Sequence, residues 1–284
     1  MAKIISELKE SIVKRMTSSH LAGPDVSDAV RIGNEAKLRG WSLTFGAWTR
    51  PVDTPRATLT SFLAALEAIR TNSLDCYLSI KAERLNYDFG LLTELLDCGA
   101  NVKTRIHFDA MDPASPDPTF ALLERALGTH KNLGCTLPSR WRRSLDDAQR
   151  VIDFGIPVRI VKGQWADPSG PVPDLRANFI KIISRLSGKA AHVAVATHDR
   201  PLAEKSLTCL KNSGTSCEME QLSSLPQNCA GLAKSLSVPM RIYIPYGYPS
   251  LPYDIWQVRT RPEIMAWVMM DFLSGKHRRL SSAG

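Results

Sequence analysis

The sequence predicts a (β/α)8 barrel, TIM-like and preceded by N-terminal helices. Eight short strand-like segments recur along the chain, at 41–48, 77–83, 103–110, 132–137, 157–163, 192–198, 216–222 and 240–247. Helix-like stretches separate most of them, the alternation expected of parallel strands joined by crossover helices. Polar residues gather at their C-terminal ends, where a barrel builds its active site: Lys81, Asp109, Lys162, Trp165, His198, Glu220, Tyr243 and Tyr246. The 284 residues are close to the roughly 250 of one barrel domain. An enzyme is the leading expectation.

Residues 1–40 read as a helical segment packed on the barrel. Ile4, Ile5, Leu8, Ile12 and Val13 form an apolar face on a first helix, Gly23-Pro24-Asp25 breaks the chain, and Gly40 stops a second helix. Residues 41–275 form the barrel and 276–284 a basic tail. After strand 1 comes a Pro-rich loop at 49–58, then a helix over 58–70. A helix near 87–98, closed at Cys98-Gly99, follows strand 2. The prolines of 112–118 delay the next helix to about Thr119. Ser144 is the expected N-cap of the helix after strand 4, with Asp147 as its partner. The β-branched run Pro157–Gly163 suits a buried parallel strand. The loop at 166–173 is long enough to overlie the barrel mouth, and helices follow over 174–187, 201–210, up to 235, and 261–274.

Composition is that of an ordinary globular chain, 44% hydrophobic and 23% charged. No apolar run reaches the roughly 18 residues of a membrane span, and the N-terminus has the alternation of a surface helix, so a cytoplasmic protein is expected. Six cysteines without metal-site spacing point to reduced thiols and no metal centre. The net charge of +8 favours an anionic ligand over nucleic acid, for which no motif is present.

Among individual residues, Asp109 at the end of a strand is either a functional carboxylate or half of a structural ion pair, with Lys81 the candidate partner. Lys81 suits anion binding or Schiff-base chemistry. His198 is a base, a hydrogen-bond donor or, least favoured, a metal ligand. Arg159, inside a strand, has to face a polar lumen or a phosphate. Trp165, Tyr243, Tyr246, Tyr248, Tyr253 and Trp256 offer aromatic walls.

Three stretches resemble the proline dehydrogenase family of FAD-dependent barrels. Val158–Asp167 (VRIVKGQWAD) resembles the family's V-R-x-V-K-G-A-Y-W, Val195–Asp199 (VATHD) its A-T-H-N, and Met240–Gly247 with Tyr253 its final strand and the start of its last helix. LSIK at 78–81, FDA at 108–110 and CEMEQL at 217–222 match in order and spacing, so the resemblance spans about 41–263. It implies FAD as cofactor, with Arg159, Val161, Gly163, Trp165, Thr197, His198, Glu220 and Glu263 as the cofactor-binding residues. Lys81, Asp109, Tyr243 and Tyr253 would form the catalytic and substrate set. The implied reaction is oxidation of the C–N bond of proline or a proline-like small amine, by hydride transfer to the flavin. Arg159→Ala is expected to weaken flavin binding more than folding.

The chain departs from the family where an adjacent arginine pair clamps the substrate carboxylate: Trp256 and Gln257 stand there. Arg259 and Arg261 follow and are the candidates for that role. Glu220 and Pro138 occupy positions that are Gln in the family, and Asp199 one that is Asn. The partners implied are a small amino acid or cyclic amine and an electron acceptor, either a quinone or a soluble carrier. Peripheral contact at the inner face of a membrane is an open alternative to a purely cytoplasmic place. Two competing functions stand beside the leading one: a flavoenzyme for a different small amine, and a non-catalytic ligand-binding barrel.

Overall fold

The structure, a computed structural model, describes residues 20–248 apart from 51, 111, 112, 166, 171 and 173. Eight parallel strands close into a barrel in sequence order: β1 (Ser42–Trp48), β2 (Cys76–Ile80), β3 (Ile106–Phe108), β4 (Leu133–Pro138), β5 (Val158–Val161), β6 (Val193–Ala196), β7 (Cys217–Leu222) and β8 (Met240–Gly247). All eight fall within or next to the segments read from the sequence. The seam is closed by β1 on β8, with Thr44 opposite Tyr243 and Trp48 opposite Gly247.

Helix α1 (Val26–Lys37) precedes the barrel and packs on β1 and β8 from outside. The remaining helices are α2 (Pro55–Thr71), α3 (Phe89–Asn101), α4 (Pro116–Leu127), α5 (Ser144–Phe154), α6 (Leu175–Leu186), α7 (Arg200–Asn212) and α8 (Ala230–Ser235), with a 3-10 turn at Ala82–Leu85. Several boundaries differ from expectation. Helix α2 begins three residues early because Thr54 caps the Ala57 amide and Pro55 takes the first helical position, where its missing N–H costs nothing. Pro116 and Pro118 likewise sit in the first turn of α4 instead of delaying it. Gly99 lies inside α3, where an added Cβ would press within 3.1 Å of Ile106. Ser144 is helical, not a cap: its hydroxyl donates to the Pro138 carbonyl at 2.6 Å. Asp147 instead receives Arg143 at 2.8 Å.

The pleat sorts the strands into two faces. Leu43, Phe45, Leu78, Ile80, Ile106, Phe108, Val158, Ile160, Val193, Val195, Ile242 and Ile244 are buried outward beneath the helices. That shell is the hydrophobic core. The inward face carries Thr44, Tyr77, Ser79, Lys81, His107, Asp109, Thr136, Arg159, Glu218, Glu220, Arg241 and Tyr243. A barrel interior is ordinarily filled by layers of branched aliphatic residues, so this polar lumen requires that its groups satisfy one another.

Among the described residues no helix is long and apolar enough to cross a membrane. The first N-terminal helix, the basic tail and the expected helix at 261–274 lie outside the described residues, as do Tyr253, Trp256, Gln257, Arg259, Arg261 and Glu263.

Candidate active site

The upper lumen is organised by Arg159 on β5. Its Nε donates to Thr136 Oγ1 at 3.1 Å, and its terminal nitrogens donate to Glu220 Oε1 at 3.1 Å, Ser79 Oγ at 3.0 Å and Asp109 Oδ1 at 2.8 Å. Burial works against the guanidinium charge, but Asp109 and Glu220 outweigh it and hold Arg159 protonated, well above even the usual arginine range. Glu220, buried on β7, also accepts from Thr44 at 2.9 Å and from the Tyr77 hydroxyl at 3.1 Å. His107 stacks on Tyr77 with ring centroids 5.1 Å apart, and its Nε2 lies 3.0 Å from Thr136 Oγ1. Burial and the nearby arginines push its pKa well below the usual imidazole value, so it is neutral.

Asp109 stands higher, at the end of β3. Its partner is Arg159, not Lys81, and its other oxygen receives the Tyr243 hydroxyl at 3.3 Å. Tyr243 lies under the Arg159 guanidinium, 4.9 Å from ring centroid to charge. It reaches across the seam because residue 46 is glycine: a Cβ there would fall 2.3 Å from the tyrosine oxygen. Burial foremost, and then Asp109, raises the Tyr243 hydroxyl, so it stays protonated and donates. The Lys81 ammonium sits 4.1 Å from the centre of the Trp48 ring. Burial brings it down to about 8 against the opposing pull of Asp109.

The side of the mouth formed by β5 and β6 is lined differently. Val161, Gly163, Ala196 and Thr197 are half-buried and small. Gly163 has φ +86°, and a Cβ on it would meet Pro138 Cβ at 2.6 Å. The turn after β4 is fastened to the chain after β5. The Arg140 Nε donates to the Gly163 carbonyl at 3.0 Å, the Trp141 indole to the Trp165 carbonyl at 3.1 Å, and the Arg142 amide to Asp167 at 2.6 Å. The described part of the 166–173 loop is therefore tied to the neighbouring turn.

The structure brings Lys81, Asp109, Arg159, Glu220 and Tyr243 into one cluster, with Val161, Gly163 and Thr197 at its β5–β6 rim. His198 is set apart from it. Its Nε2 accepts the Leu222 amide at 3.0 Å and its Nδ1 donates to the Pro226 carbonyl at 3.1 Å, so both ring nitrogens hold the loop after β7. Burial lowers its pKa, opposed by the bond to Pro226. Asp199 caps α7 through the Leu202 amide at 3.2 Å. Tyr246 turns outward onto Phe45, centroids 6.1 Å apart, and Tyr248 lies exposed under Arg50, so neither walls the lumen. Thr44, Trp48, Tyr77, Ser79 and Thr136 escaped the sequence reading. The signal was there in Tyr77, Ser79 and Lys81, and again in Arg105, His107 and Asp109: polar residues at every second position of a buried strand.

No protein-family model matches the chain. Pairwise comparison does find relatives. Proline dehydrogenase 1 of Bacillus subtilis subsp. natto is 26% identical over 223 residues, 74% of each chain. Proline dehydrogenase of Deinococcus radiodurans is 21% identical over 293 aligned residues, covering 95% of this chain and 94% of its own. These similarities, at low identity over most of the chain, support a divergent member of the proline dehydrogenase family. Solved structures agree in fold: proline utilization A from Bdellovibrio bacteriovorus, inactivated by N-propargylglycine, superposes with a TM-score of 0.74 at 14% identity over 93% of this chain. That of Corynebacterium freiburgense gives 0.67 at 17% identity over the whole chain. This chain spans about a third of those two longer proteins, 34% and 36%.

The family implies a flavin, and the mouth is compatible with a flat ring. Its β5–β6 side offers the small floor of Val161, Gly163, Ala196 and Thr197, and at Gly163 no side chain would fit. Across the mouth, at the end of β1, the Trp48 indole N–H is buried without a hydrogen-bond acceptor among the described residues. Arg159 supplies buried positive charge beneath, and Arg140 and Lys162 lie at the rim beside Gly163.

Proposed function

We propose that the protein is an FAD-dependent dehydrogenase that oxidises the C–N bond of proline or a proline-like small amine. The observation that carries this reading is the placement of Asp109, fixed between Arg159 at 2.8 Å and Tyr243 at 3.3 Å at the C-terminal end of a barrel of this family. FAD, when bound, accepts the electron pair: a hydride leaves the amine carbon, a proton leaves its nitrogen, and a carbon–nitrogen double bond forms.

The chain's own residues do the rest. Asp109 orients the substrate nitrogen, and its geometry is held from both sides so that little reorganisation is needed. Lys81, its pKa lowered to about 8 by burial, stands beside it to bind an acidic group or exchange a proton. Tyr243 and Trp48 exclude water from one side of the mouth. Val161, Gly163, Trp165 and Thr197 would hold the cofactor together with Arg159, while Glu220 fixes Arg159 and His198 shapes the adjoining loop. Tyr253, Arg259, Arg261 and Glu263 remain assigned by family resemblance. The electrons pass on to a quinone or a soluble carrier.

The test is an anaerobic spectrum of the protein loaded with FAD and freed of excess, titrated with L-proline and a panel of cyclic and acyclic amines. Retained flavin that bleaches with an amine is the expected result. Retained flavin that no amine bleaches, or failure of the folded protein to retain FAD, overturns the proposal.

A further inference from the structure

Three donors hold the buried Glu220 side chain. Its Oε1 accepts from Arg159 at 3.1 Å and from Thr44 at 2.9 Å, and its Oε2 accepts from the Tyr77 hydroxyl at 3.1 Å. None of these bonds needs an acid. A glutamine could keep all three: its oxygen would take Arg159 and Thr44, and its amide nitrogen would donate to the Tyr77 oxygen, which accepts as well as donates. What the carboxylate adds is a negative charge, placed where a charge is costly unless it is paired.

That charge falls on Arg159. The guanidinium is 3% exposed and is shared by two acids, Glu220 at 3.1 Å on one terminal nitrogen and Asp109 at 2.8 Å on the other. The Asp109 side chain is 18% exposed and stands at the mouth, whereas Glu220, 1% exposed, offsets the same cation from deeper in the barrel. Arg159 is also the buried cation beneath the small floor that suits a flat ring.

The electrical consequence for such a ring has a definite sign. A hydride carries two electrons and one proton, so a flavin that receives it gains one negative charge. A nearby cation favours that reduced form, and a nearby anion opposes it. A unit charge roughly 10 Å away, at an effective dielectric of about 20, changes such an equilibrium about tenfold. We infer that Glu220, acting through Arg159, lowers the reduction potential of the bound flavin and so makes the reduced protein a stronger electron donor. This deepens the proposed flavin chemistry and rests on it.

The probe is the midpoint potential of the FAD-loaded protein, measured anaerobically without substrate against a reference dye. In Glu220→Gln the ratio of reduced to oxidised flavin at a fixed ambient potential is expected to rise about tenfold, equal to about 30 mV for a two-electron couple. Glu220→Asp, which keeps the charge and alters the reach, stays nearer the wild type. A change of less than threefold in folded E220Q, or one in the opposite direction, overturns the inference. So does a rise in E220D as large as that in E220Q, since the shape of the side chain would then matter and not its charge. Should E220Q fail to fold, Tyr77→Phe decides. It keeps the ring and withdraws one neutral donor from the carboxylate, so the ratio should fall, and a rise or no change overturns the inference. Anaerobic bleaching separates the two claims. Flavin that an amine bleaches, with an unmoved potential in E220Q, sinks this inference and leaves the amine oxidation standing. Retained flavin that no amine bleaches sinks the oxidation while the potentials still decide the role of Glu220, and a folded wild type that retains no FAD overturns both.

Discussion

Arg159 shows how one residue can carry both the fold and the site. A polar lumen is tolerable only if each buried charge finds partners, and Arg159 alone touches residues on β2, β3, β4 and β7. The expectation that Arg159→Ala weakens flavin binding more than folding is joined here by a cost to folding itself. Removing the cation leaves Glu220 and Asp109 facing each other without compensation, a loss on the order of 3–5 kcal/mol for a broken buried pair. Urea denaturation of R159A should show that loss together with diminished flavin retention. A change in stability below about 1 kcal/mol, in the range of an exposed pair, would refute the structural role. The need for an arginine to face a polar lumen was legible in the sequence. Its partners were less so, since serine, threonine and tyrosine at 44, 77, 79 and 136 are unremarkable until the barrel closes and register brings four strands around one guanidinium.

At the level of elements, the strands were legible because outward residues are apolar at every second place, whereas helix starts were displaced by local chemistry. Thr54, Asp88, Asp174 and Asp199 cap their helices through backbone amides. Asp199, beside a candidate histidine, reads from sequence as a site residue for the same reason that it makes a good cap: a short carboxylate in a loop. The join between β4 and β5 is the most exacting of these local structures. Gly163 combines a left-handed backbone, φ +86°, with contact to Pro138 that a Cβ would bring to 2.6 Å. Gly163→Ala should cost about 1–2 kcal/mol from the backbone alone, with more from the collision. The β4 and β5 ends would separate at the rim, so flavin retention should fall with the denaturation midpoint. A variant with the wild-type midpoint and full flavin content would show that this join does not shape the mouth.

Across the whole molecule, closure depends on a second buried ion cluster at the opposite end of the lumen, which no motif or spacing singles out. Glu218 on β7 accepts Arg241 Nε of β8 at 2.9 Å and lies 3.4 Å from His192. Arg241 also donates to the Leu43 carbonyl of β1 and lies 4.4 Å from the Tyr77 ring centre on β2, so four strands meet near the seam through one side chain. Burial works to raise the Glu218 carboxyl, but the hydrogen bond from His192 and the charge and hydrogen bond of Arg241 prevail and bring it to about 2, against an ordinary 4.5. A carboxyl depressed in the folded state adds stability that is complete above its unfolded value and is lost as pH falls through the folded one. The shift corresponds to about 3 kcal/mol at 1.36 kcal/mol per pH unit. Wild-type protein should therefore exceed Glu218→Gln in stability by roughly that much near pH 6. The gap should narrow steadily between pH 4.5 and 2 as the carboxyl takes up its proton. Chemical denaturation of both proteins across that range measures it, and a gap that does not change with pH would mean that Glu218 holds the seam by shape and not by charge.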